Sequence, residues 1–272
     1  MSKKRPPAPC HDAADPWSRM RQFTAARIGL PRAGASLATP PLLEFRLAHA
    51  RARDAVREML DEARLAEELK PLGLPLLPLA SAVKDRMQYL MRPDLGRALD
   101  EASVETLRKQ ARESYDIAFV VTDGLSARAV QSHATPLLAQ VVSVLRKENW
   151  RLAPLSIVRQ GRVAIGDAVA SGLGAPSAAV LIGERPGLSS PDSLGVYLTW
   201  APGPASTDAD RNCISNIRPD GMPAEEAAFK LLHLIRAMRA RKISGVALKD
   251  DSDRARLGSS LDPHQVPGGK PT

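Results

Sequence analysis

Cysteine is nearly absent from this chain, which holds only Cys10 and Cys213. Two thiols exclude a disulfide framework and a zinc cluster. The five histidines (His11, His49, His133, His233, His264) fall at no metal-ligand spacing, so a metal held by the protein is not expected. Aromatic residues make up only 4% of the chain, and the apolar mass is Ala, Leu and Val. That composition suits helices and parallel strands better than a β-sandwich. No apolar run approaches the roughly 20 residues that span a bilayer. The basic opening MSKKRPPAPCHDAADPW has no apolar segment behind it, so a secretory signal is excluded and the expected location is the cytoplasm, without a membrane partner. Both GxGxxG and a glycine followed by Lys-Ser/Thr are missing, which leaves a stand-alone nucleotide-dependent enzyme without its phosphate loop.

What the chain has in excess is arginine. The net charge is +8, with a pI near 9.8. Arg19, Arg27, Arg32, Arg46, Arg92, Arg162, Arg218 and Arg236 are spread along the chain and are not clustered with aromatics. With no helix-turn-helix, zinc-finger or RNP pattern beside them, a docking surface for a larger acidic partner explains the charge better than nucleic acid does.

The periodicity changes along the chain. Residues 1–20 and 251–272 are polar, rich in Pro or Gly, and expected to be disordered tails. Residues 21–114 read as a helical region. One helix is expected over Leu42 to Leu69, with Leu43, Leu47, Ala50, Val56, Met59 and Leu60 on one side. A Pro- and Leu-rich turn (KPLGLPLLPLA) follows, then a helix through Lys84 to Met91 and another from Val104 to Glu113. From Asp116 strands alternate with helices. DIAFVVTDG, LSIVRQGRV, AAVLIG and GVYLTWAP read as strands, and SARAVQSHATPLLAQVVSVLRKE as a helix bent or broken at Pro136. IGDAVASGLG is a short helix ending at glycine. EEAAFKLLHLIRAMRARK is an amphipathic helix burying Ala228, Leu231, Leu232, Ile235 and Met238. The fold class is α/β: a Rossmann-like open sheet over residues 115–250 with a smaller N-terminal helical domain.

Ligands of open α/β sheets bind at the carboxyl ends of the strands. Those ends carry Asp123-Gly124-Leu125-Ser126 and the loop GERPGLSSPDSLG, Gly183 to Gly195, whose glycines and prolines hold one backbone shape. Val163 lies at the exit of another strand. Ser126 also reads as a simple helix N-cap, and Glu184 with Arg185 as an ordinary surface pair. His133 and His233 read as packing or capping residues.

The loop, together with RNCISNIRP (Arg211 to Pro219), ARIGLPRAG (Ala26 to Gly34), RPDLGRAL (Arg92 to Leu99), TDGLSARAVQSHATPLL (Thr122 to Leu138) and GRVAIGD (Gly161 to Asp167), resembles the small subunits of ethanolamine ammonia-lyases. The resemblance covers roughly Thr24 to Asp250. It implies an adenosylcobalamin-dependent ammonia-lyase subunit whose Rossmann-like domain forms one side of a cobalamin clamp. The large subunit supplies the other side and the substrate pocket. The family positions that touch the corrinoid match Val163, Glu184 and Cys213, with Arg185 and Gly187 shaping the loop. The motif D-x-H-x-x-G does not occur, so the resemblance implies a base-on cofactor whose cobalt is held by the corrin. It also implies heterodimers grouped into a higher oligomer and leaves a bacterial microcompartment open as the setting. No catalytic constellation is present in this chain alone. A reading from another class is a non-catalytic Rossmann-like binding or scaffold module docked on an acidic partner.

Overall fold

The apolar runs Ala118–Val121 and Ala178–Ile182 contain no polar residue. A strand of that kind needs cover on both faces, the situation of a central strand in an α/β sheet. In the computed structural model, which describes residues 17–24, 26–111 and 115–253, both runs lie mid-sheet. Residues 1–16 and 254–272, with Cys10, His11, His264 and most of the two expected tails, lie outside the described residues.

Six strands form one sheet: β1 (Leu76–Ala80), β2 (Ala118–Thr122), β3 (Leu155–Arg159), β4 (Ser177–Gly183), β5 (Leu194–Trp200) and β6 (Arg211–Ile217). Their order is β1-β3-β2-β4-β5-β6. The first four neighbours pair parallel, while β5 runs antiparallel to both β4 and β6. The α/β class is therefore realised as a mixed sheet.

Side-chain alternation along each strand separates two cores. Phe119, Val121, Ala179 and Leu181 face the helices α5 (Ala127–Lys147) and α7 (Ala224–Arg241). Ala118, Val120, Ala178 and Val180 face α6 (Ile165–Leu173) and α4 (Glu101–Gln110). In α7 the five residues expected to be buried are all buried, and α6 ends at Gly174 in a left-handed cap.

Several elements differ from the sequence reading. The helix expected over Leu42 to Leu69 is two helices, α1 (Thr39–Arg57) and α2 (Glu62–Leu69). The second starts afresh because the Asp61 carboxylate accepts a 3.0 Å hydrogen bond from the Arg64 N–H. Leu43, Leu47 and Met59, expected on the buried side, are exposed, and the buried residues of α1 are Ala52 and Ala55. The Pro-rich turn contains β1, with Pro78 facing outward on an edge strand, where no ladder hydrogen bond is lost. RNCISNI, read only as a motif, is the other edge strand. Capping by Asp85 and Asp100 sets the starts of α3 (Arg86–Met91) and α4. Pro136 does not break α5, because it sits on the exposed side, where water can meet the freed carbonyl.

Contacts divide the chain into two units, Met1–Arg51 and Ala52–Thr272. In the first, the described residues form a short helix (Ser18–Arg21), a two-residue hairpin (Arg32–Ala33 with Ser36–Leu37) and the start of α1. No described residue between 17 and 51 is buried.

At the exit of β2 the buried Asp123 is met by donors from elsewhere in the second unit. Its Oδ1 accepts from the Gln160 N–H at 2.7 Å and its Oδ2 from Arg86 Nη1 at 3.3 Å. Burial pushes its pKa up to about 6, against the pull of Arg86 and the Gln160 amide. The folded state therefore keeps a proton that the unfolded chain releases near pH 4. The stability this proton contributes is complete below that value and is lost as pH rises through about 6. Asp123→Asn should abolish that slope, so that wild type gains on the variant by on the order of 2 kcal/mol between pH 7 and pH 4. Urea unfolding of both proteins at several pH values measures this. A constant difference would mean that Arg86 keeps Asp123 ionised throughout.

Candidate functional site

The carboxyl ends of β2, β3 and β4 lie side by side, and two glycines let their loops cross. Gly124 has φ +54, and a Cβ there would fall 2.3 Å from the Gly183 carbonyl oxygen. A Cβ on Gly183 would fall 2.0 Å from the Ser126 carbonyl oxygen. Any side chain at either position would push the two strand exits apart. Ser126 does cap α5, its Oγ accepting from the Ala129 N–H, and it also donates to the Pro191 carbonyl at 2.9 Å. The cap and the loop tether are thus one hydroxyl. His133 on α5 reaches Asp192 of the same loop at 3.5 Å. His233 meets Asp251 at 2.6 Å.

Beside this crossing is a hollow of about 410 Å³, lined by Tyr89, Leu125, Arg162, Val163, Glu184 and Tyr197 among others. Val163 and Glu184 are therefore brought together, and Arg185 shares the same wall. Cys213 lies just outside, directly across the β5–β6 ladder from Tyr197. Gly187 is not part of the lining. It closes a tight turn, its N–H donating to the Ser190 carbonyl at 3.0 Å.

Glu184 is the knot of this edge. Its Oε2 accepts from Ser193 Oγ at 2.5 Å and from the Asn216 N–H at 3.2 Å, and its Oε1 accepts from Ser215 Oγ at 2.5 Å. Arg185 is not among its partners, so the two do not form the simple surface pair. Three donors leave a carboxylate with acceptor capacity to spare.

Cys213 is free and exposed. Surrounding protein pushes its thiol pKa up, Glu184 adds to this, and a hydrogen bond with Tyr197 opposes it. A thiol held protonated is a contact group and not a nucleophile.

Sequence reasoning missed the residues that shape the floor. Tyr89 is fully buried between two guanidinium groups, with Arg162 at 4.1 Å and Arg86 at 4.7 Å from its ring centre. Its hydroxyl donates to the Gly161 carbonyl at 3.1 Å, and burial raises its pKa. Arg162 donates to the Tyr89 carbonyl, while its buried Nε has no hydrogen-bond partner. Arg211, buried at the start of β6, forks onto Asp167 of α6 at 2.8 and 2.7 Å. The spacing Arg86-x-x-Tyr89 on one helix face was the only trace of this in the sequence.

Among the described residues no cluster of His, Cys, Asp and Glu could hold a metal, and no helix is long and apolar enough to cross a membrane. The edge offers carboxylate acceptors at Glu184, an apolar contact at Val163 and a cationic donor at Arg162.

Comparison with known proteins agrees with these motifs. The family model of the ethanolamine ammonia-lyase light chain matches residues 14–249. An ethanolamine ammonia-lyase small subunit of Azotobacter vinelandii is 53% identical over 246 residues, covering 89% of this chain and 91% of that protein. One of Ralstonia nicotianae is 51% identical over 256 residues, covering 93% and 95%, and one of Pseudomonas aeruginosa is 51% identical over 248 residues, covering 90% and 91%. The chain belongs to the ethanolamine ammonia-lyase light chain family.

Proposed function

We propose that this chain works as the small subunit of an ethanolamine ammonia-lyase, which converts ethanolamine to acetaldehyde and ammonia. Its role is to hold one edge of adenosylcobalamin, with the substrate pocket in the large subunit. The observation that carries this reading is the meeting of Val163 and Glu184 in one hollow, with Tyr197 and Cys213 alongside, at the carboxyl edge of the sheet. The residues fit the group. A corrin rim carries neutral amides, and Glu184 has an acceptor site left over for them. Val163 can cover the ring edge, and Cys213 offers a small polarizable surface. When bound, the cofactor supplies homolysis of its cobalt–carbon bond, the start of radical chemistry that a sealed pocket protects. This chain's own part is to bind and orient. The absence of D-x-H-x-x-G favours the base-on form.

Support for a large partner comes from the first unit. Phe23, Leu43 and Leu47 are exposed by 84%, 57% and 52%, and Gly29, at positive φ, packs close against the Trp17 ring. Large apolar side chains held out in water are the kind a partner would cover. Arg27 and Arg32, both exposed, can meet carboxylates on that partner. We take the assembly to be heterodimers grouped into a higher oligomer. The competing reading, a scaffold without cofactor docked on an acidic protein, rests on the charge of +8.

Cofactor titration separates the readings. The chain with its large subunit should retain cobalamin and deaminate ethanolamine, whereas the chain alone should do neither. Robust deamination by the chain alone would overturn the clamp role, and a complex that never takes up cobalamin would favour the scaffold. Within the complex, Glu184→Ala should weaken cobalamin about five- to hundredfold, with turnover at saturating cofactor little changed. Cys213→Ser should be milder. Ser215→Ala loosens the knot but keeps the carboxylate. Equal losses in the Glu184 and Ser215 variants would make Glu184 a positioning residue only.

Reversing charge at Arg27 and Arg32 together should weaken association with the large subunit on the order of tenfold, read by co-purification. Unchanged recovery would mean that this loop stays in solvent.

A further inference from the structure

A second hollow of about 470 Å³ shares Arg162 and Val163 with the first and continues past the N-terminal end of α6. Its lining includes Arg97, Ser206, Thr207, Asp208 and Arg211. The charges do not cancel. Arg211 is matched by Asp167, but Arg97 and Arg162 have no carboxylate partner among the described residues. The one carboxylate in the lining, Asp208, is 98% exposed and 3.8 Å from Arg211 Nε. That Nε is buried on a side chain only 3% exposed, and it lacks a hydrogen-bond partner, as does Arg162 Nε. A buried donor left unmet is costly unless water or a ligand meets it. Two unmet guanidinium donors and an unpaired arginine around one hollow match a tetrahedral oxyanion.

We propose that this hollow binds a phosphate-class oxyanion, with Arg97 and Arg162 supplying charge and Arg211 Nε a buried donor. Two sources share that chemistry: the phosphodiester in the nucleotide tail of a base-on corrinoid, and a free phosphate ester. The first rests on the cofactor reading above, and the wall shared by the two hollows favours it, since one ligand could run from one into the other.

The test uses the complex of both subunits with Arg97→Glu, a change at an exposed residue. Binding of cobalamin, cobinamide phosphate and cobinamide is followed by absorbance, and thermal unfolding is followed with and without inorganic phosphate. Arg97→Glu should weaken cobalamin and cobinamide phosphate about ten- to hundredfold, and cobinamide, which lacks the phosphate, less than about threefold. Unaltered corrinoid binding, with a phosphate-induced rise in melting temperature that the variant loses, would keep the site and assign it to a free phosphate ester. Equal weakening of all three corrinoids, or no effect on corrinoids and no phosphate-dependent melting shift, overturns the proposal. Should no corrinoid bind even the wild-type complex, the cofactor reading fails, and the melting experiment alone decides the oxyanion site.

Discussion

A carboxylate removed from water has to be met by donors, and at Asp123 they come from separate parts of the chain. The Gln160 amide comes from the exit of β3, and the Arg86 guanidinium from the start of α3. Arg86 in turn donates to the carbonyls of Gly124 and Val56, so one buried ion pair gathers the exits of two strands and the end of α1. Arg86 and Arg162 then enclose Tyr89, which forms the floor of the hollow. Removing one partner from such an arrangement leaves the other as an uncompensated buried charge. The geometry of the carboxyl edge thus depends on a group whose own ionised form is disfavoured by its burial.

The same logic recurs at the rim. Glu184 draws together Ser193 at the start of β5 and Ser215 and Asn216 in β6, so the loop it opens is fastened at both ends. Ser126 fastens it again from α5, and His133 approaches Asp192 of the loop at 3.5 Å. A loop with this many ties loses little entropy on meeting a ligand, which is the condition for binding by a preformed edge.

Legibility followed periodicity. The cores of β2 and β4 and the buried face of α7 were readable because an uninterrupted apolar run, or a spacing of three and four, is compatible with few environments besides a buried strand or a half-buried helix. The edge strands were not. β1 carries Pro78, and β6 carries Asn212, Ser215 and Asn216, because an edge strand has one side free of ladder partners and tolerates residues that a central strand rejects. The single long helix fails for a local reason: the Asp61 cap outweighs continuity of pattern. Val163, Glu184 and Cys213 could be named only through resemblance to a family. Tyr89 and Arg162 meet across 73 positions of sequence, and Arg211 meets Asp167 across 44, separations that no local window contains.

Charge adds a further constraint at this edge. Arg97 and Arg162, which have no carboxylate partner among the described residues, repel one another around one hollow, and the buried Nε donors of Arg162 and Arg211 carry a cost unless water or a ligand meets them. The exposed apolar side chains of the first unit add to that cost. A ligand or partner that binds only the folded form relieves these costs and stabilises the fold by mass action. On the cofactor reading proposed above, the chemistry of this edge is recognition: its residues hold and orient a group that reacts elsewhere.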